Sequence, residues 1–238
     1  MDKLNIENVL NNESLLKILS ETSVEVPLRS EGRQTEHTEK WSLCYLLATL
    51  SSKGILAFPL SLEHVDKPDF TLKTGGNIIG IEVTESIPSD YAKCCALAER
   101  ENPDAVIDMS LFKWDSPSKT TKELRDIINS SELIGDGWSG HSAEVEWARY
   151  MNNAISVKLK KLNNTGYSEF PEYWLSIYDN LPLPNVHAKK ATEFLLSNFS
   201  AHWKGERLFS KIFIERGPII IEIENNKAIN HEIIDIWD

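Results

Sequence analysis

Asp69 and Glu82, in the stretch KPDFTLKTGGNIIGIEVTE, are the residues of this chain best placed to do chemistry. Side chains alternate between the two faces of a strand, so Ile79, Ile81 and Val83 share one face and suit a core. Gly80, Glu82 and Thr84 share the other, where a carboxylate with a glycine beside it points into a cleft. A short hairpin brings the Asp69 strand alongside, so the two carboxylates can converge. Together with a nearby backbone carbonyl they would form a hard-oxygen site suited to Mg²⁺ or Mn²⁺. Such an ion polarises a phosphoryl oxygen and acidifies a bound water. The plainer alternative makes Asp69 a turn residue after Pro68 and Glu82 a solvent-facing strand residue, since lone charged side chains are usually solvated.

The elements that must position this pair are readable nearby. Thr74-Gly75-Gly76-Asn77 is a hairpin signal, because glycine permits the positive φ that such turns require. It joins predicted strands at 69–73 and 78–84; a further strand is expected at 55–58. Upstream, residues 35–52 read as a helix stopped by Gly54. At about 100° per residue, Leu43, Leu46, Leu47 and Leu50 form its buried stripe, and Glu36 and Glu39 continue that stripe toward the N-terminus. Carboxylates on a core stripe must end in a polar cleft or meet a large desolvation cost. Alternatively they sit in the first turn because acids favour the positive end of the helix dipole. Trp41 lies on the opposite face, toward the N-terminal segment.

Further along, helices are expected after Pro88 to about Glu101, at 119–130, at 142–162 and near 188–199. Strands are expected at 173–178, 211–215 and 218–224, with Gly135 to Gly140 as a loop. Residues 1 to about 22 read as one or two short amphipathic helices (Ile6, Val9, Leu10; then Leu15, Leu16, Ile18, Leu19). The division is an N-terminal helical extension over 1–34 and one mixed α/β domain over 35–238.

Bulk composition narrows the function classes. The 238 residues carry 25 Lys plus Arg against 36 Asp plus Glu, a net charge of −11. That argues against a protein that coats nucleic acid non-specifically, which needs many cations to displace counterions. It leaves room for an enzyme that meets a phosphate backbone locally, through Lys158 to Lys161, Lys189-Lys190 or Lys204 to Arg207. No apolar run is long enough for a membrane span, no signal-peptide pattern opens the chain, and Cys44, Cys94 and Cys95 lack metal or disulfide spacing. These features point to a cytoplasmic protein without membrane contact. The six histidines show no HxxxH or HxH pattern, and neither a P-loop nor a nucleophile elbow occurs. Cys44 suits a core, Asp179-Asn180 suits a turn, and Trp138 in the glycine-rich loop could stack on a base.

Pro68-Asp69 followed by Glu82-x-Thr84, with Glu39 on an upstream helix, resembles the PD-(D/E)XK restriction-endonuclease-like superfamily over roughly residues 35 to 85. The resemblance implies an α/β fold with a restriction-endonuclease-like core, a central mixed β-sheet flanked by helices. It implies Asp69 and Glu82 as ligands of Mg²⁺ (or Mn²⁺), the Val83 carbonyl as another ligand, and Glu39 or Glu36 as a further acid near the ion. It also implies a nuclease acting on nucleic acid, DNA ahead of RNA, tied to prokaryotic defence and compatible with a homodimer or a protein partner in a defence complex.

The sequence departs from the family pattern at Thr84, where a catalytic lysine is usual. A cation from elsewhere could replace it. On the predicted helix over 142–162, Ala148, Met151, Ile155, Leu159 and Leu162 define the apolar face, and Lys158 lies about 60° from its centre. Lys160 and Lys161 point away, Glu144 falls on the buried stripe, and Glu146 faces outward. Lys158 is therefore the candidate for the missing cation and Glu144 for an added acid, although a lysine there can also cover apolar surface with its stem. If no cation reaches the pair, the chain is instead a catalytically inactive nuclease-like binding or regulatory subunit.

Overall fold

A computed structural model of the chain describes residues 3–130, 132–164 and 166–237. The strands are β1 (Ile6–Val9), β2 (Leu60–His64), β3 (Phe70–Thr74), β4 (Asn77–Ser86), β5 (Glu172–Asp179), β6 (Lys211–Arg216), β7 (Ile219–Glu224) and β8 (Lys227–Glu232). The α-helices are α1 (Asn12–Ser20), α2 (Thr35–Ser52), α3 (Ser89–Glu101), α4 (Thr121–Ile128), α5 (Ser142–Leu162) and α6 (Ala188–Phe199). The strands form one eight-stranded mixed sheet in sequential order from β1 to β8. Pairing is antiparallel from β1 to β4, parallel from β4 through β5 to β6, and antiparallel again to β8. The parallel steps require crossovers, and α5 and α6 supply them.

Helices cover both faces of the sheet, so its central strands β4 to β7 are buried on both sides and the fold is α/β. On one face α1 and α2 pack against Leu60, Leu62, Phe70, Leu72, Ile79, Ile81 and Val83. On the other, α5 and α6 pack against Leu175, Ile177, Ile212, Ile214, Ile221 and Ile223. Helices α3 and α4 enclose a smaller core of their own. Among the described residues no helix is long and apolar enough to cross a membrane.

The two elements that frame the acidic pair are sharply specified. Gly75 (φ +56°) and Gly76 (φ +89°) form the two-residue turn between β3 and β4, and a Cβ on Gly75 would lie 2.5 Å from that of Ala57. Helix α2 ends where Gly54 adopts φ +69°. The Ile55 amide then donates to the Leu50 carbonyl and the Gly54 amide to that of Ser51, which satisfies two terminal carbonyls.

Three stretches differ from the sequence expectation. Residues 6–9 form a strand, not a helix: Ile6 pairs with Leu62 and Val9 with Leu60 across a register shift, with Asn8 at φ +45°. That bulge turns both apolar residues inward and so mimics the i, i+3 spacing of a helix. The strand expected at 55–58 is absent, because Ile55 closes the helix cap and Pro59 lacks a donor. The strand lies instead at β2, between β1 and β3, where Leu60 and Leu62 alternate inward. Polar β8 was not foreseen. The Asn225-Asn226 turn, at φ +50° and +59°, was its available signal.

Candidate active site

Pairing between β3 and β4 stops at Phe70 opposite Ile81. Beyond it β4 has no strand neighbour on that side, and the Val83 amide there is taken by the Asp69 side chain, whose Oδ2 lies 2.7 Å away. Since the amide and carbonyl of one strand residue emerge on the same edge, the Val83 carbonyl opens into this gap as well. Glu82 points to the opposite face from Val83, under α5, and is 1% exposed.

Lys158 arrives from α5 and joins the two acids. Its Nζ donates to Glu82 Oε2 at 2.6 Å and to Asp69 Oδ2 at 3.1 Å. Burial alone would lower the Lys158 pKa, but the two carboxylates outweigh it and hold the ammonium above its ordinary value. Burial raises Glu82, as does the neighbouring charge of Asp69, against the opposing pull of Lys158. The Tyr167 hydroxyl also favours the Glu82 anion, yet Glu82 Oε1 is buried without a hydrogen bond at ordinary geometry. Asp69 Oδ1 likewise accepts no hydrogen bond among the described residues.

Glu39 reaches the same gap from α2. Burial, and then the charge of Asp69, push its pKa up to about 7, although Lys158 pulls the other way. His64, at the end of β2, places Nε2 3.7 Å from Glu39 Oε2. Asp69 and Glu82 thus share the one ammonium by contact, while Glu39 feels it only through longer-range charge and takes up a proton more readily. Glu36 is exposed and adds only long-range repulsion to Glu39. Thr84 lines a small cavity with Glu39 and Val83. Among the described residues no group of three or more His, Cys, Asp or Glu side chains is arranged to hold a metal ion.

Several expected placements are corrected. The space beside Gly80 is no opening: a Cβ there would meet Pro68 Cγ at 2.9 Å, with Tyr173 and Phe170 close behind. Glu144 is not an added acid, since its Oε1 accepts the His187 amide at the start of α6. Glu146 faces inward, accepting from the Trp114 amide and from Trp138 Nε1. Trp138 is therefore held through its Nε1 and packs partly buried against the core, with Lys113 over its ring. Trp41 packs toward the C-terminal segment through Tyr45 and Trp237, with its Nε1 bonded to Glu215. Asp179 accepts the Leu181 amide as a turn residue does, but its other oxygen is buried against Arg216 and Trp147.

His64 and Tyr167 were missed. Neither has a spacing that marks it, because each is placed by the end of a strand or by a loop rather than by a periodic face. No protein-family model, curated protein or solved structure matches this chain.

Proposed function

We propose that this chain is a metal-dependent nuclease that hydrolyses phosphodiester bonds of nucleic acid, DNA ahead of RNA, on a restriction-endonuclease-like core. The observation that carries the reading is the Lys158 ammonium between Asp69 and Glu82. It brings a cation to the acidic pair where Thr84 supplies none. The order of elements supports the same reading: α2 bears Glu39, the β2–β4 meander bears the acids, and α5 returns with the lysine.

The residues present fit Mg²⁺ or Mn²⁺. Mg²⁺ keeps several waters and is commonly held by one or two carboxylates, so Asp69, Glu82 and the Val83 carbonyl suffice without a third acid. The buried Glu82 Oε1, which makes no hydrogen bond of ordinary geometry, is the oxygen available to a cation. When bound, the ion would polarise a phosphoryl oxygen and acidify a water. The chain itself contributes a preorganised ammonium at Lys158 for charge developing on the phosphate. Glu39, titrating at about 7, can hold or release a proton near neutral pH. Burial by α5 keeps bulk water from Glu82 and strengthens these interactions.

A binding or regulatory subunit without catalysis is the second reading. Thr84 favours it, as does the lack of a three-ligand group among the described residues. Nicking of plasmid, single-stranded DNA and RNA with Mg²⁺ or Mn²⁺ separates the two. Wild type should cut while Asp69→Ala, Glu82→Ala and Lys158→Ala do not. Cutting that survives both carboxylate substitutions excludes this mechanism, and a wild type that binds nucleic acid without cutting selects the second reading.

A further inference from the structure

Arg29 and Arg33 converge on one oxygen beside the candidate site. Arg29 Nη2 lies 2.6 Å and Arg33 Nη2 3.2 Å from Glu85 Oε1, which also accepts from Asn180 Nδ2 at 2.6 Å. Arg33 Nη2 also reaches Thr38 Oγ1 at 3.3 Å. Two guanidiniums therefore share one carboxylate oxygen in a chain of net charge −11, with Glu39 lining the same cavity. Each guanidinium carries five donors, and most here have no hydrogen-bond partner among the described residues. Both side chains remain partly open, at 20% and 15% exposure.

The arginines are held in place on both sides. The helical turn Arg29–Glu31 is pinned to α3 by the Ser30 amide, which donates to Glu99 Oε2 at 2.7 Å. A cavity of about 140 Å³ is lined by Arg29, Arg33, Thr38, Glu39, Val83 and Thr84, among others. It therefore runs from the guanidiniums to Glu39 and Val83, on the near side of the acidic pair.

We propose that Arg29 and Arg33 form a phosphate subsite that grips a backbone phosphodiester of the substrate strand next to the one being cut. Guanidinium forks match phosphate oxygens bidentately, and a fixed pair placed beside the reacting bond sets the register of the strand. Glu85 keeps the forks aligned and spreads their charge before the strand arrives. This arrangement lets an acidic protein meet a polyanion at one point. The inference rests on the nuclease reading.

The test is binding of a fluorescent oligonucleotide, of the form that wild type cuts, with Ca²⁺ replacing Mg²⁺ so that the strand is held uncut. Arg29→Gln and Arg33→Gln should each weaken binding about ten-fold and reduce the salt slope by about one. Arg33→Lys should keep the salt slope while losing part of the affinity, because an ammonium carries the charge without the fork. One neutral methylphosphonate linkage at an interior position should weaken wild type equally and cost Arg33→Gln nothing further. Unchanged affinity and slope in the Gln variants, loss at no single linkage, or sensitivity only to a terminal phosphate would each overturn the subsite. Those results, with cutting by wild type intact, leave the nuclease reading standing. A wild type that neither binds nor cuts removes both.

Discussion

Lys158 Nζ stands 2.6 Å from Glu82 Oε2 although the two residues are 76 apart in the chain, and both are buried. Neither charge is tolerable there alone, because removing one partner strands the other in a desolvated site. Lys158→Met should therefore lower thermal stability as well as cleavage. Adding Glu82→Gln to it should restore much of the stability and none of the cleavage. Loss of cutting is expected to be at least about 100-fold in either variant. A double-mutant cycle in urea gives the coupling, and additive effects on stability would refute it.

Metal should be felt by the fold. Anything that binds only the native state stabilises it, by about 2.7 kcal/mol at a hundred times Kd. Mn²⁺ should raise the Tm of wild type, EDTA should reverse the rise, and Asp69→Asn should abolish it. An equal rise in wild type and Asp69→Asn would place the ion elsewhere.

Gly80 bears on the site through Pro68. A methyl at position 80 would press on Pro68 Cγ, one residue before Asp69, as well as on Tyr173 and Phe170. Gly80→Ala should displace Asp69 and reduce cleavage by about ten-fold or more, since small misplacements near reacting groups are costly. Its Tm should fall by only a few degrees. Full activity at a lowered Tm would show that Pro68 does not set the position of Asp69.

Glu215 provides a pH dependence away from the acidic pair. It is buried on the α2 face, its pKa is pushed up to about 7 by that burial, and Trp41 Nε1 donates to its Oε1. Its folded value lies above its unfolded one, so the native state holds the proton more tightly. The resulting stability is full below pH 4.5 and is lost as pH rises through 7. Glu215→Gln keeps an acceptor for Trp41 and carries no charge. At pH 8 it should be more stable than wild type, on the order of 2 kcal/mol. The gain should shrink as pH falls and vanish below pH 4.5, and melting curves across this range check the slope.

Much of this architecture was legible because it rests on period. The α2 and α5 boundaries follow from apolar stripes, the β3–β4 turn from two glycines, and the convergence of Asp69 with Glu82 from alternation across a short hairpin. Lys158 was legible for the same reason, as a cation on the shoulder of an apolar helix face. What escaped lacks a period. A bulge disguised β1 as a helical turn, and β8 is a polar edge strand. His64, Tyr167 and the Arg29–Arg33 pair are brought in by strand ends and loops. Glu144 and Glu146 show the limit of a helical wheel. It tells which face is covered, not that the cover at the N-terminal end of α5 is α6 and the Trp138 loop rather than the acidic pair.

Because the strands lie in the sheet in their order along the chain, the structure can be laid down from one end. Asp69 and Glu82 come together once β3 and β4 pair, a local event. Their ammonium is encoded far downstream, on the crossover that must be in place before β5 can add in parallel. During synthesis, N-terminal parts can fold first. The nascent meander then carries two adjoining carboxylates with no counter-charge from Lys158, and α5 supplies that charge on the crossover that leads into the parallel half of the sheet.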